Sequence, residues 1–334
     1  MPINIAFFDA KPYDEASFNA VNAHFGFNIT YYPVGLSLSS EPLARGADVV
    51  CIFVNDECNR AVIDALVADG VKLIALRCAG FNNVDLQAAQ GRIPVVRVPA
   101  YSPHAVAEYA VTLMMCLNRK VHRAFNRTRD GNFKLDGLEG FDMYEKTVGV
   151  VGTGKIGKEV IKILHDGFGM RVLAHDLYPD EKFNQEHGVT MVHDIDELYA
   201  QSDIITLHCP LTTRNTYMIN KVSISKMKPG VMIINTGRGR LIFTEDLIQG
   251  LLSRQIGAAG LDVYEEEKNY FYEDGSDSII GDNALARLLM MPNVIVSSHQ
   301  AFFTREALGK IALTTLQSVK ELEEGKPLSC EVKQ

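Results

Sequence analysis

The chain has 334 residues, 47% of them hydrophobic and 22% charged, which fits a folded protein of two domains and excludes wholesale disorder. Its 33 basic and 41 acidic residues give a net charge of −8, which argues against nucleic-acid binding and polybasic membrane attachment but leaves local arginines able to hold a small anion. Cysteines 51, 58, 78, 116, 209 and 330 form no CxxC pair, MPINIAFFDAKPYDE lacks the pattern of an export signal, and the apolar stretch from Tyr109 to Asn118 is too short to span a bilayer; the expectation is a cytoplasmic protein without disulfides, metal or membrane.

In chain order, INIAFFD (3–9) reads as a strand, FNAVNAHFG as a helix and FNITYYP as a strand. DVVCIFV (48–54) is nearly all apolar, as a strand buried on both faces should be. NRAVIDALVADG reads as a helix, and KLIALRC (72–78) and IPVVRVP (93–99) as strands. This alternation predicts a parallel α/β sheet. A long helical pattern opens at Ser102-Pro103, a good start signal, and runs to about Asp130-Gly131. It is expected to connect two domains and to carry a subunit contact.

A second alternating series has strands at 147–152, 171–176, 203–209, 231–236, 258–263 and 293–298, so the fold class is α/β with two parallel sheets. Between the last two strands, the acidic and aromatic stretch from Glu265 to Asp282 reads as a surface excursion. One helical pattern, Arg305 to Glu324, follows.

Gly152-Thr153-Gly154-Lys155-Ile156-Gly157 matches the GxGxxG dinucleotide fingerprint, following one predicted strand and opening a helix. The first glycine permits a tight turn, the second lets backbone approach a pyrophosphate, and the third allows close helix–strand packing. The helix start then offers free N–H groups and a positive dipole end. Asp176, 19 residues after Gly157, sits where an acid accepts hydrogen bonds from a ribose. A carboxylate there repels a 2′-phosphate, so the expected cofactor is NAD.

Arg238, Glu267 and His299 each follow a strand of the second series, and ligands of open α/β sheets bind beyond the carboxyl ends of strands. Arginine suits a carboxylate, histidine supplies a proton near neutral pH, and a glutamate would favour the imidazolium. That chemistry matches reduction of a 2-keto acid. On pattern alone, Glu265 and Glu266 compete with Glu267.

The segments YSPHAVAEYAVTLMMCLNRKVHRA, GVVGTGKIGKEV, LHCPLT, MKPGVMIINTGRG, GLDVYEEE and NVIVSSHQAFFT resemble the D-2-hydroxyacid dehydrogenase family, nearest its NAD-dependent fermentative D-lactate branch. The resemblance implies a Rossmann NAD-binding domain, 102–299, inserted into a flavodoxin-like substrate domain formed by 1–101 and 300–334. It selects Glu267 and implies His299 as acid/base, Glu267 as its partner and Arg238 as the substrate anchor. It adds His208, Cys209, Pro210, Thr236, Gly237 and Asp262 to the cofactor contacts. Ala79, Gly80 and Tyr101 become substrate contacts, with Phe53, Phe302 and Phe303 as pocket walls. Alkylation of Cys78, in the anion loop, is expected to block binding. The implied activity is reversible reduction of pyruvate to D-lactate by a homodimer or homotetramer. A dehydrogenase for a larger 2-keto acid and a non-enzymatic NAD(H)-sensing corepressor are the alternatives.

Overall fold

The computed structural model describes residues 2–333. The chain divides into two compact units, Met1–Ser102 with Phe303–Gln334, and Pro103–Phe302.

The first unit holds a five-stranded parallel sheet of β1 (Asn4–Phe7), β2 (Asn28–Tyr31), β3 (Val49–Ile52), β4 (Leu73–Leu76) and β5 (Val95–Val96), in the order β2-β1-β3-β4-β5. Every residue of β3 and β4 is buried, because helices cover both faces of a parallel sheet and leave the strands no polar side. The Arg305–Glu323 helix, capped by the Thr304 hydroxyl on the Ala307 amide, packs against the Pro12–Asn22 helix and β4. Its Leu316 and Val319 share one apolar pocket with Phe7 and Phe18. The chain's last segment covers the β5 edge: Val332 N–H donates to the Val95 carbonyl at 2.8 Å and Arg97 N–H to the Cys330 carbonyl at 3.1 Å. An edge so covered is no longer open to another strand.

The second unit is built on a seven-stranded parallel sheet. Its strands are β6 (Thr147–Val151), β7 (Arg171–His175), β8 (Thr190–Met191), β9 (Ile204–Leu207), β10 (Val231–Asn235), β11 (Ile256–Leu261) and β12 (Val294–Val296). The order β12-β11-β10-β9-β6-β7-β8 reverses direction between β6 and β9, the place where such sheets open a crevice. The pattern predicts six strands; β8, with two residues, is too short to leave a periodic signal. Apolar side chains of the central strands divide between two cores, Ile205 and Ile233 on one side and Ile204, Met232 and Ile234 on the other.

The single helix expected from 103 to 130 is two helices, Pro103–Arg119 and Val121–Arg129. Lys120 between them is left-handed, φ 51°. The loop 139–141 docks at this break. Lys120 Nζ donates to the Glu139 carbonyl at 2.6 Å, and the Asn118 amide exchanges two hydrogen bonds with the Phe141 backbone, each 2.8 Å. Long-range contacts thus overrule a locally continuous pattern. The stretch from Glu265 to Asp282 is also more than a surface excursion: Phe271 is buried, and the Tyr264 hydroxyl donates to Asp282 across the stretch at 2.7 Å. Among the described residues no helix is long and apolar enough to cross a membrane, and no three His, Cys, Asp or Glu side chains gather as metal ligands would.

Candidate active site

In the second unit every predicted site residue except Gly157, Glu267 and Phe302 falls within five residues of a strand's carboxyl end. Gly152 follows β6 at φ +95°, and a Cβ there would lie 2.6 Å from the Cys209 amide nitrogen. A Cβ on Gly157 would run into the Gly152 carbonyl. Gly154 has open space instead, with nothing within 4 Å of the place a Cβ would take. The loop is therefore closed behind and open in front. Helix Lys155–Lys162 begins there with no side-chain cap, so its first amides, from Lys155 and Ile156 onward, stay available to an anion. The Asp176 carboxylate, after β7, accepts from the Thr153 amide at 2.5 Å and the Tyr178 amide at 2.8 Å. Against the upward pull of burial, these bonds hold its carboxyl below the ordinary range, so it stays ionised and hostile to a 2′-phosphate.

His208, Cys209 and Pro210 follow β9. The Asn215 side chain ties this loop by donating to the Pro210 carbonyl at 2.8 Å, and burial pushes the His208 imidazole down to about 4, keeping it neutral. Thr236, after β10, has a buried hydroxyl with no hydrogen-bond partner among the described residues. A buried unpaired hydroxyl is costly, and a bound polar group would relieve it. The open Gly154 face, the uncapped helix start, the ionised Asp176 and this hydroxyl fit a nicotinamide dinucleotide.

Beyond β10, Asn235 shapes the arginine loop. Its Oδ1 accepts from the Gly237 amide at 3.0 Å and its Nδ2 donates to the Arg238 carbonyl at 2.9 Å. Gly239 lets this loop touch the Tyr264–Glu265 backbone, where any side chain would collide. Arg238 is half-buried; its Nη1 donates to the Gly237 carbonyl at 2.8 Å. No carboxylate lies within ion-pair distance of it among the described residues.

His299 is left-handed, φ 53°, a conformation that costs a non-glycine residue about 1–3 kcal/mol and needs support. Its N–H donates to the Asp262 carbonyl at 2.7 Å, and its own carbonyl accepts from the Tyr272 hydroxyl at 3.0 Å. The Asp262 carboxylate accepts from the Ser297 hydroxyl at 2.7 Å, the Gln300 amide at 2.9 Å and the Ala301 amide at 2.8 Å. Asp262 is fully buried. Both its oxygens are engaged by the histidine loop, which Asp262 thereby anchors. Burial pushes its carboxyl upward, opposed by these bonds and by His299.

Three consecutive glutamates separate cleanly in space. Glu267 Oε1 lies 2.9 Å from His299 Nδ1, and Glu267 Oε2 accepts from the Tyr264 amide at 3.0 Å. Glu265 accepts from the Thr244 amide at the start of a helix, and exposed Glu266 faces Arg240 at 3.5 Å. With Nδ1 on Glu267, the imidazole can present Nε2 to a ligand. Asn235, Ser297 and Tyr272 are not singled out by the sequence pattern; only Asn235, a polar residue ending an apolar strand, leaves a signal there.

In the first unit, Ala79 and Gly80 follow β4. Their carbonyls accept from Arg97 at 2.8 Å and the Cys78 thiol at 3.2 Å, while neither N–H has a backbone acceptor among the described residues. The Cys78 thiol is buried, which removes the ready access that alkylation requires. Phe53 is buried with its ring on the Arg77 guanidinium, 4.7 Å from the centroid, and Tyr101 is half-buried. The two aromatics after the histidine loop differ: Phe302 is buried, whereas Phe303 is 48% exposed and packs edge-on against Tyr13, 4.8 Å between centroids.

Comparison with known proteins adds relatives along almost the whole chain. The family model for the D-isomer specific 2-hydroxyacid dehydrogenase NAD-binding domain matches residues 111–301. D-lactate dehydrogenase from Escherichia coli K12 is 50% identical over 324 residues, 97% of this chain and 98% of that protein. The solved apo-structure of the Escherichia coli D-lactate dehydrogenase superposes with a TM-score of 0.91 at 47% identity, covering 99% of this chain and 100% of that one. The pyruvate reductase of Chlamydomonas reinhardtii superposes with a TM-score of 0.93 at 43% identity, covering 98% of each.

Proposed function

The chain belongs to the NAD-dependent D-isomer-specific 2-hydroxyacid dehydrogenases, and from that premise we propose that it reduces pyruvate to D-lactate, reversibly. The single observation that carries the assignment of roles is the Glu267–His299 pair at 2.9 Å, with Arg238 lacking a carboxylate partner among the described residues. The relatives named for lactate and pyruvate support the choice of substrate.

NADH, held by the glycine loop, Asp176 and the 208–210 and 236–237 loops, would supply the hydride to the keto carbon. The residues of the chain do the rest. Arg238 binds the carboxylate and polarises the keto oxygen with its planar fork. His299 gives that oxygen its proton, so pyruvate, NADH and one proton become D-lactate and NAD⁺. Glu267 holds the ring through Nδ1, and Asp262 fixes the loop that carries it. In the first unit, the Ala79 and Gly80 amides would bind the carboxylate, with Tyr101 and Phe53 as further substrate contacts; Phe302, of the second unit, would limit substrate size.

A second copy of this chain is the expected partner. The Val121–Arg129 helix buries none of its residues, and Val121, Phe125, Phe133 and Leu135 are 56–81% exposed, a density of apolar surface that marks an interface. A cytoplasmic setting suits six free cysteines and a soluble pool of NADH.

A steady-state panel of 2-keto acids with NADH and NADPH, with chiral analysis of the product, tests the reading. Pyruvate with NADH giving D-lactate is the expected best pair. Higher kcat/KM for phenylpyruvate, hydroxypyruvate or glyoxylate would move the substrate, and no turnover with any 2-keto acid would overturn the enzyme.

A further inference from the structure

The proposed reaction leaves one buried arginine unused. Arg77, the residue after β4, is 2% exposed. Its guanidinium lies between two aromatic rings, with Cζ 4.6 Å from the Phe7 centroid and 4.7 Å from that of Phe53. Nη2 donates to the Asp9 carbonyl at 2.8 Å, and Nε lies 3.4 Å from Asp14 Oδ1. Nη1 is buried with no hydrogen-bond partner among the described residues.

Phe7 belongs to β1 and Asp14 to the Pro12–Asn22 helix, and the remaining groups lie in loops. Asp9 follows β1 and is left-handed, φ 49°; Phe53 follows β3; Arg77 itself leads into Ala79 and Gly80. The strands β1, β3 and β4 are neighbours in the sheet, and their carboxyl ends form the edge where open α/β sheets bind ligands. One planar cation therefore ties together the loops that follow these three strands. Phe53 is held from behind as well. Its amide donates to Asp56 Oδ2 at 2.6 Å, and its carbonyl accepts from Asn83 Nδ2 at 2.8 Å. Its backbone is clamped by Asp56 and Asn83, and its ring stands on the guanidinium.

A buried charge with an unpaired N–H is a poor way to fill space, since apolar residues of similar volume stabilise a core as well or better. What an arginine adds is direction: a flat cation that stacks on rings and donates in a fixed fork, which lysine cannot reproduce. We propose that Arg77 is a positioning residue for substrate binding, locking the Phe53 ring and the Ala79–Gly80 amides into one preset surface for a small 2-keto acid. This rests on the reading of Phe53, Ala79 and Gly80 as substrate contacts. The groups proposed for proton transfer and hydride delivery belong to the other unit, so the effect falls on KM rather than kcat.

The test is Arg77→Lys in the full-length protein. The expected result is a KM for pyruvate raised about tenfold, with binding of oxamate, an unreactive pyruvate analogue, to the NADH complex weakened to match. The expected kcat stays within about threefold of wild type, and NADH affinity, read by fluorescence, is unchanged. Asp14→Asn removes one anchor of the guanidinium and should shift KM the same way by less, and it decides the matter if Arg77→Lys fails to fold. A folded variant with wild-type KM and oxamate affinity, or one that loses kcat at constant KM, overturns the role of Arg77. Wild-type protein that neither binds oxamate nor turns over any 2-keto acid defeats the functional reading, and this role with it.

Discussion

Arg77 and Arg238 each follow a parallel strand, one in each unit, and their surroundings are opposite. Arg77 is buried between two rings, beside Asp14 and the Asp9 carbonyl, with the Asp56 carboxylate also acting on its charge. Arg238 is half-buried and, among the described residues, donates only to the carbonyl of its own neighbour, Gly237. A guanidinium enclosed by built-in partners organises the scaffold around it. One whose fork faces no carboxylate keeps its charge available for an anionic ligand. Three consecutive glutamates of the second unit, Glu265 to Glu267, repeat the contrast on a smaller scale: Glu265 serves a helix start, Glu266 meets Arg240 at the surface, and Glu267 serves a histidine.

The comparison is most easily broken at Arg238. Arg238→Lys keeps the charge but loses the fork, and kcat/KM for pyruvate should fall about a hundredfold, the order of losing one oriented donor at a developing charge. The unfolding midpoint in urea should barely move. Wild-type kinetics would mean that the free fork binds nothing.

On the scaffold side the readout is stability. Burial pushes the Asp56 carboxyl up to about 6, opposed by Arg77 and by the Phe53 and Leu36 amides, with Asp9 adding to the rise. The folded protein therefore takes up this proton before the unfolded chain does. The associated stability is fully present below about pH 4, the unfolded value, and is lost as pH rises through about 6. Asp56→Asn cannot ionise. The stability of wild type relative to this variant should therefore decline by about 2–3 kcal/mol at most between pH 4 and 7, measured by urea unfolding across that range. A rise instead would make the ionised carboxylate a net stabiliser beside Arg77.

The smallest expected effect separates the glutamates. Glu267→Gln removes the carboxylate that holds His299 Nδ1, so kcat for pyruvate reduction should fall by about tenfold or less. Glu266→Gln should leave kcat where it was. Equal kcat for both variants would remove Glu267 from the site.

Much of this was legible without coordinates. Strands β3, β4 and β6 read as apolar runs because helices cover both sheet faces. The glycine loop was legible because its three glycines answer steric demands that act over a few residues. The break at Lys120 was not, since docking of a loop some twenty residues away imposes it on a helical pattern that continues through. Phe302 and Phe303 are adjacent and alike in sequence, yet one is buried and the other packs on Tyr13 at the surface.

The sequence by itself determined two parallel α/β sheets, a dinucleotide loop ahead of an acidic strand end, and the residue types needed for a 2-keto acid. All of these depend on periodicity and on chemistry that is local in the chain. Choosing among Glu265, Glu266 and Glu267 from the residues alone was beyond it, and so was finding that Asp262 holds the histidine loop and that Arg77 is buried between two rings. Those outcomes depend on which side chains from distant segments come within 3–5 Å, and only the packing of the sheets and their loops decides that.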